Sequence, residues 1–249
     1  MMTLEEFFAR HPKTALGFSG GTDSAYLLYA GLSLGADVKP YYIKTQFQPE
    51  FELEDAERLV RELGAELTVV EADILALEEV AGNPADRCYH CKRALFTLLA
   101  GRAAPDGYPE IIDGTNASDD PGDRPGTRAL RELGVLSPLR DCGITKAEVR
   151  RLSKEAGLFT HDKPSYACLA TRIPTGRRID AGGLRAIETA EARLRELGYG
   201  GLRVRMEEGG ARLELPEAEL ERAVRERAQL LEILGGFGRV TLDLRGRRE

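Results

Sequence analysis

The stretch Leu16–Ala30, LGFSGGTDSAYLLYA, runs a strand-like apolar segment into two adjacent glycines and then into a helix-like segment. That junction constrains the fold more than any other feature of the chain. Paired glycines after a buried strand allow backbone conformations and close approaches denied to other residues. A helix beginning there leaves unpaired N–H groups and a partial positive charge facing whatever the glycines admit, and an anion fits. The alternative is a tight turn capped by Asp23 or Ser24 with no ligand. Hydroxyls at Ser19, Thr22 and Ser24 favour a phosphate. No Lys follows the glycines, which excludes a Walker-type loop, and the spacing is not Gly-x-Gly-x-x-Gly.

Downstream, strand-like and helix-like spacings alternate. Thr14–Ser19 reads as a buried strand and residues 23–35 as a helix ended by Gly35. Strands are predicted at VKPYYI, ELTVVEA and EIIDGT, and helices over residues 50–64, 92–103 and 144–158. Thr145 with Glu148 three residues on is a capping-box pattern. This alternation predicts an α/β fold, a doubly wound parallel sheet with its crevice at the strand C-termini. Residues 157–183, with Pro164 and Pro174, break the rhythm. A helix, two short strands, a long helix over 217–234 and a last strand follow, so the chain is expected to divide into residues 1–178 and a small α+β domain, 179–249.

The formal net charge of −6 gives no basic footprint for nucleic acid. No apolar run approaches the roughly 20 residues of a membrane span, and the acidic start lacks signal-peptide order. A cytoplasmic protein is expected. In that reducing setting Cys88, Cys91, Cys142 and Cys168 are metal ligands, catalytic thiols or core fillers rather than a disulfide scaffold.

SGGTDS, at Ser19–Ser24, resembles the signature of the PP-loop ATP pyrophosphatases, and IIDGTN, at Ile111–Asn116, resembles their later strand-end motif. The resemblance implies that Ser19, Gly20, Gly21, Asp23 and Ser24 hold ATP phosphates, with Asp23 also a Mg²⁺ candidate, and that Gly114 and Thr115 face the nucleotide. NPADRCYHCK, the stretch from Asp113 to Leu139, DKPSYACLATRIPTG and LRVR together resemble one branch, the LarE family of sulfur transferases of nickel-pincer nucleotide synthesis. That resemblance implies adenylylation of a carboxylate on a pyridinium dicarboxylate mononucleotide, then displacement of AMP by sulfur to give a thiocarboxylate. A carboxylate oxygen is a poor leaving group and an acyl adenylate supplies a good one.

Within the resemblance, Cys168 matches the sulfur-donating cysteine, which becomes dehydroalanine in members that have that cysteine alone. Lys92 matches a lysine near the phosphates, and Arg203 and Arg205 match arginines that hold substrate phosphate and carboxylate, although an Arg-rich solvated strand face would look the same. Arg172 is expected to orient substrate or its own loop, and Glu191 matches a carboxylate near the site or a metal. Cys88-x-x-Cys91 departs from the simplest pattern; with Cys168 it has the ligand count of a three-cysteine [4Fe–4S] cluster. A persulfide relay, a half zinc site with His90 or His161, or plain helix packing are the alternatives. Cys142 matches no motif and is expected to be filler. The stretch SDDPGDRPG is expected to cover the site or to connect elements as a polar loop. The family also implies a homo-oligomer. The rivals are a tRNA thiolase, a carbon–nitrogen ligase of the NAD or GMP synthetase kind, and a non-enzymatic nucleotide-binding module.

Overall fold

The computed structural model describes residues 2–119 and 125–247. Helices and strands are numbered in chain order. The chain forms two compact units, Met1–Ile74 with Asp86–Lys163, and Leu75–Ala85 with Pro164–Glu249. In the first lie α1 (Leu4–Arg10), β1 (Lys13–Gly17), α2 (Thr22–Ser33), β2 (Asp37–Lys44), α3 (Glu50–Glu62) and β3 (Thr68–Glu71), then α5 (Arg87–Ala103), β4 (Ile111–Ile112), α6 (Pro125–Glu132), α7 (Pro138–Asp141) and α8 (Lys146–Glu155). In the second lie α4 (Glu78–Ala81), α9 (Ala181–Glu196), β5 (Arg203–Glu207), β6 (Gly210–Glu214), α10 (Leu220–Arg225), α11 (Arg227–Leu234) and β7 (Arg239–Leu242).

The first sheet is parallel throughout, in the order β3-β2-β1-β4. Alternation along β1 sends Leu16 into a core shared with Phe8 of α1, Leu27 and Leu28 of α2, Leu59 of α3 and Val149 of α8. Ala15 points the other way, into a second core with Leu99 and Ala103 of α5. On β2 the neighbours Tyr41 and Tyr42 divide between the same two cores. Helices therefore cover both faces, as the alternating pattern requires. Because β1 is flanked by β2 on one side and β4 on the other, the strand order reverses beside it, and the crevice opens at the C-terminal ends of β1 and β4.

Several elements differ from the sequence reading. Helix α5 starts at Arg87 rather than near residue 92, so Cys88 and Cys91 stand on its first turns. Strand β4 is two residues long; beyond it the chain is held by Asp113, whose carboxylate accepts from Ser137 Oγ at 2.7 Å and from the Thr115 hydroxyl. The long helix expected over 217–234 is three pieces, a 3-10 turn at Glu217–Glu219, then α10 and α11 broken at Glu226.

In the second unit β5 and β6 pair antiparallel while β7 joins β6 in parallel. Leu184, Ile187, Ala190 and Leu194 form the buried stripe of α9. Asn83 is wholly buried at φ 55°, and its side-chain amide donates to the carbonyls of Ile173, Pro174 and Arg177. That is how the short segment Leu75–Ala85 packs with the stretch following Cys168.

The capping box is formed: Thr145 Oγ1 accepts from the Glu148 N–H, and the Glu148 carboxylate accepts from the Thr145 N–H at 2.9 Å. Thr145→Ala should lower unfolding free energy in urea by about 1 kcal/mol; an unchanged midpoint would show that the cap contributes nothing.

Candidate active site

Gly20 adopts φ +68°, where a side chain is strained, and a Cβ there would also stand 3.0 Å from Cβ of Ala56 on α3. Gly21 is the N-cap of α2 and offers no side chain for capping. The loop is instead closed by hydroxyls: Ser24 Oγ accepts from the Ser19 N–H at 3.3 Å and donates to the Gly21 carbonyl at 3.2 Å, while Ser19 Oγ lies 3.1 Å from Ser24 Oγ. The Thr22 hydroxyl turns away and donates to the Thr160 carbonyl at 2.9 Å, so it serves the fold. Gly114 comes in from the end of β4 so closely that a Cβ would lie 2.9 Å from the Ser24 nitrogen. Together these bring the start of a twelve-residue helix, without a side-chain cap from Gly21, to the crevice floor between Gly20 and Gly114.

A cleft of about 310 Å³ opens there, its lining including Ser19, Asp23, Ser24, Lys92, Gly114 and Thr115 together with the less polar Tyr41, Ile43, Leu95 and Phe96. The sequence reading named these six but not Gln48, Asp113 and Asp119 on the same lining. It also missed four residues that support the loop and its charges. Lys146, on the first turn of α8, sets Nζ 2.6 Å from Asp23 Oδ2, and Asn116 donates to Asp23 Oδ1 at 3.2 Å. Lys163 pairs with Asp55 at 2.7 Å and donates to the Gly20 carbonyl at 3.3 Å. Gly126 of α6 lies against the Lys92 stem, where a Cβ would meet Cδ at 3.1 Å. Long sequence separations hide the pairs of Lys146 and Lys163; a lysine directly after an N-cap and one directly before a proline were the available signals.

The other expected residues lie in the second unit. Arg172 and Glu191 are wholly buried and paired, Nε to Oε1 at 2.9 Å. Burial opposes the Arg172 charge, and the Glu191 hydrogen bond and charge outweigh it, so its pKa is raised. Arg205 is bound to Glu214 at 2.6 Å and donates to the Thr171 carbonyl. Arg203 differs: it has no acceptor among the described residues, and burial with Arg172, Arg247 and Arg205 nearby lowers its pKa to about 10. An unpaired, partly desolvated guanidinium beside three others is set up to take an anion.

Cys88 is exposed, Cys91 and Cys168 are half-buried, and Cys142 is buried in the first core, where burial raises its thiol pKa. His90 lies 3.2 Å from Asp86, and His161 Nδ1 lies 2.9 Å from the Leu158 carbonyl. Among the described residues no three Cys, His, Asp or Glu side chains gather to hold a metal. Cys88 and Cys91 belong to the first unit and Cys168 to the second. Of the stretch SDDPGDRPG, residues 120–124 lie outside the described residues; Asp119 lines the cleft and accepts from the Asn116 N–H at 3.0 Å.

No protein-family model matches the chain. It is 33% identical over 242 residues to the pyridinium-3,5-bisthiocarboxylic acid mononucleotide synthase of Lactiplantibacillus plantarum, covering 95% of this chain and 87% of that one. The chain belongs to that family, the LarE sulfur transferases. An uncharacterized protein of Synechocystis sp. is 37% identical over 98% of this chain and 92% of its own length. A tRNA-specific 2-thiouridylase of a Thermotoga species is 27% identical over 61% of this chain and 54% of its own. The glycine turn thus lies in a PP-loop enzyme fold.

Gly114→Ala should force β4 and the α2 N-terminus apart. The expected result is at least tenfold weaker ATP binding by calorimetry with the fold retained; unchanged affinity would mean that the close approach does not shape the site.

Proposed function

We propose that the protein is an ATP-dependent sulfur transferase that converts a carboxylate of a pyridinium dicarboxylate mononucleotide to a thiocarboxylate. The observation that carries this is the bare α2 N-terminus between Gly20 and Gly114, with Lys92 on the same cleft, in a chain that matches a named mononucleotide synthase over nearly its whole length.

The phosphates of ATP lie on the Ser19–Ser24 turn, and the adenine packs on apolar lining residues such as Ile43, Leu95 and Phe96. A substrate carboxylate oxygen attacks the α-phosphorus and pyrophosphate leaves, its charge met by Lys92 and by Lys146 released from Asp23. Asp23 would then be free to offer a carboxylate oxygen to a Mg²⁺ ion, which would offset the charge of the phosphates. The Cys168 thiolate attacks the acyl carbon, AMP leaves, and a thioester forms. Loss of the Cys168 α-proton expels the thiocarboxylate and leaves dehydroalanine. Arg203 supports the reading as the anchor of a substrate anion. Among the described residues no helix is long and apolar enough to cross a membrane; a cytoplasmic homo-oligomer is part of the proposal.

Cys168→Ser should abolish thiocarboxylate formation while leaving substrate-dependent pyrophosphate release, read by mass spectrometry and a pyrophosphate assay. Sulfur transfer surviving in that variant would remove Cys168 from the reaction.

Cys88, Cys91 and Cys168 are proposed cluster ligands on the spacing of the first two at the start of α5 and the count of three alone. Anaerobically purified protein holding about four iron atoms per chain, lost in Cys88→Ser, would support a cluster that resupplies sulfide. Protein without iron, whose Cys168 becomes dehydroalanine, would establish a sacrificial donor.

A further inference from the structure

Glu191 lies in the apolar stripe of α9 and is wholly buried. A carboxylate there is tolerated only if donors saturate it. Arg172 grips it with a fork, Nε to Oε1 at 2.9 Å and Nη2 to Oε2 at 3.1 Å. The Tyr166 hydroxyl donates to Oε2 at 2.7 Å and the Val204 N–H to Oε1 at 3.0 Å. Each oxygen therefore has two donors, and Arg195 stands 3.8 Å away. A cation would have to displace them.

The donors come from both sides of the reacting cysteine. Tyr166 precedes Cys168 by two residues and Arg172 follows it by four. The Arg172 guanidinium also lies 4.5 Å from the Tyr166 ring centroid, closing the stretch on itself. Its remaining arm, Nη1, donates to the Ala167 carbonyl at 2.6 Å and the Cys168 carbonyl at 3.4 Å. The Thr171 N–H and hydroxyl donate to that Cys168 carbonyl too, at 3.0 and 2.8 Å. One buried carboxylate thus fixes the backbone on both sides of the thiol.

We infer that Glu191 is a positioning residue for sulfur transfer, which sets the Cys168 loop through Tyr166 and Arg172, and that it is not a metal ligand. The inference rests on the reading of Cys168 as the sulfur nucleophile. Removing Glu191 strands the buried Arg172 charge and endangers the fold, so the informative variant is Tyr166→Phe, which deletes one hydrogen bond to the carboxylate. Tyr166→Phe should keep its melting temperature within a few degrees and its KM for ATP and pyridinium substrate. Its rate of thiocarboxylate formation should fall about tenfold, the scale of one hydrogen bond to a charged group, while pyrophosphate release persists. Peptide-resolved alkylation with N-ethylmaleimide should show Cys168 reacting several-fold faster and Cys88 unchanged. A thiolation rate equal to wild type, a loss confined to KM, or a defect reversed by added Mg²⁺ or Mn²⁺ would overturn the inference. If the wild-type protein forms no thiocarboxylate, the sulfur-transfer reading fails, and the alkylation rates still decide the clamp: faster Cys168 labelling supports it and equal labelling overturns it.

Discussion

A helix that starts where a central parallel strand stops has N–H groups with no partner inside the helix, and the first unit is organised around that deficit. Strand β1 sits between β2 and β4, its side chains filling a core on each face, so its C-terminus is fixed from both sides. The chain must reverse there within Ser19–Gly21 to begin α2. Gly20 makes the reversal possible through its positive φ, and Gly114 lets the next strand end come within contact of the same helix terminus. Larger side chains at either position would fill the space where an anion can meet the helix.

The charged groups around this floor pair with one another. Asp23 holds Lys146, and Lys163 holds Asp55 and the Gly20 carbonyl. These pairs span long stretches of chain and keep cationic side chains beside the loop without leaving them uncompensated. In the second unit the arginines are treated unequally. Arg172 and Arg205 have carboxylates, whereas Arg203 has none among the described residues. Two residues of the same type, two positions apart on the same strand face, thus have different electrostatic work to do.

Much of this was legible in the sequence for a specific reason. The strand and helix periods of the first unit, the Gly-Gly turn and the Thr145–Glu148 box are local patterns, and each recurs as a local structure. What the sequence did not disclose depends on distant partners. The partners of Lys146, Lys163 and Gly126 lie far away in the chain, so no window contains the pair. The role of Glu191 as a buried anchor was not legible, because its donors come from a loop nineteen residues earlier and from β5. A single helix over 217–234 is predicted because helical residue types persist across Glu226, where the backbone breaks.

The buried Arg172–Glu191 pair also has a thermal character that apolar contacts lack. The cost of stripping water from charged groups falls as temperature rises, while the gain from burying hydrocarbon levels off. The stretch around Cys168 is anchored by the first kind of interaction and the cores by the second. On heating, the anchor therefore gains relative weight as the apolar packing around it stops gaining.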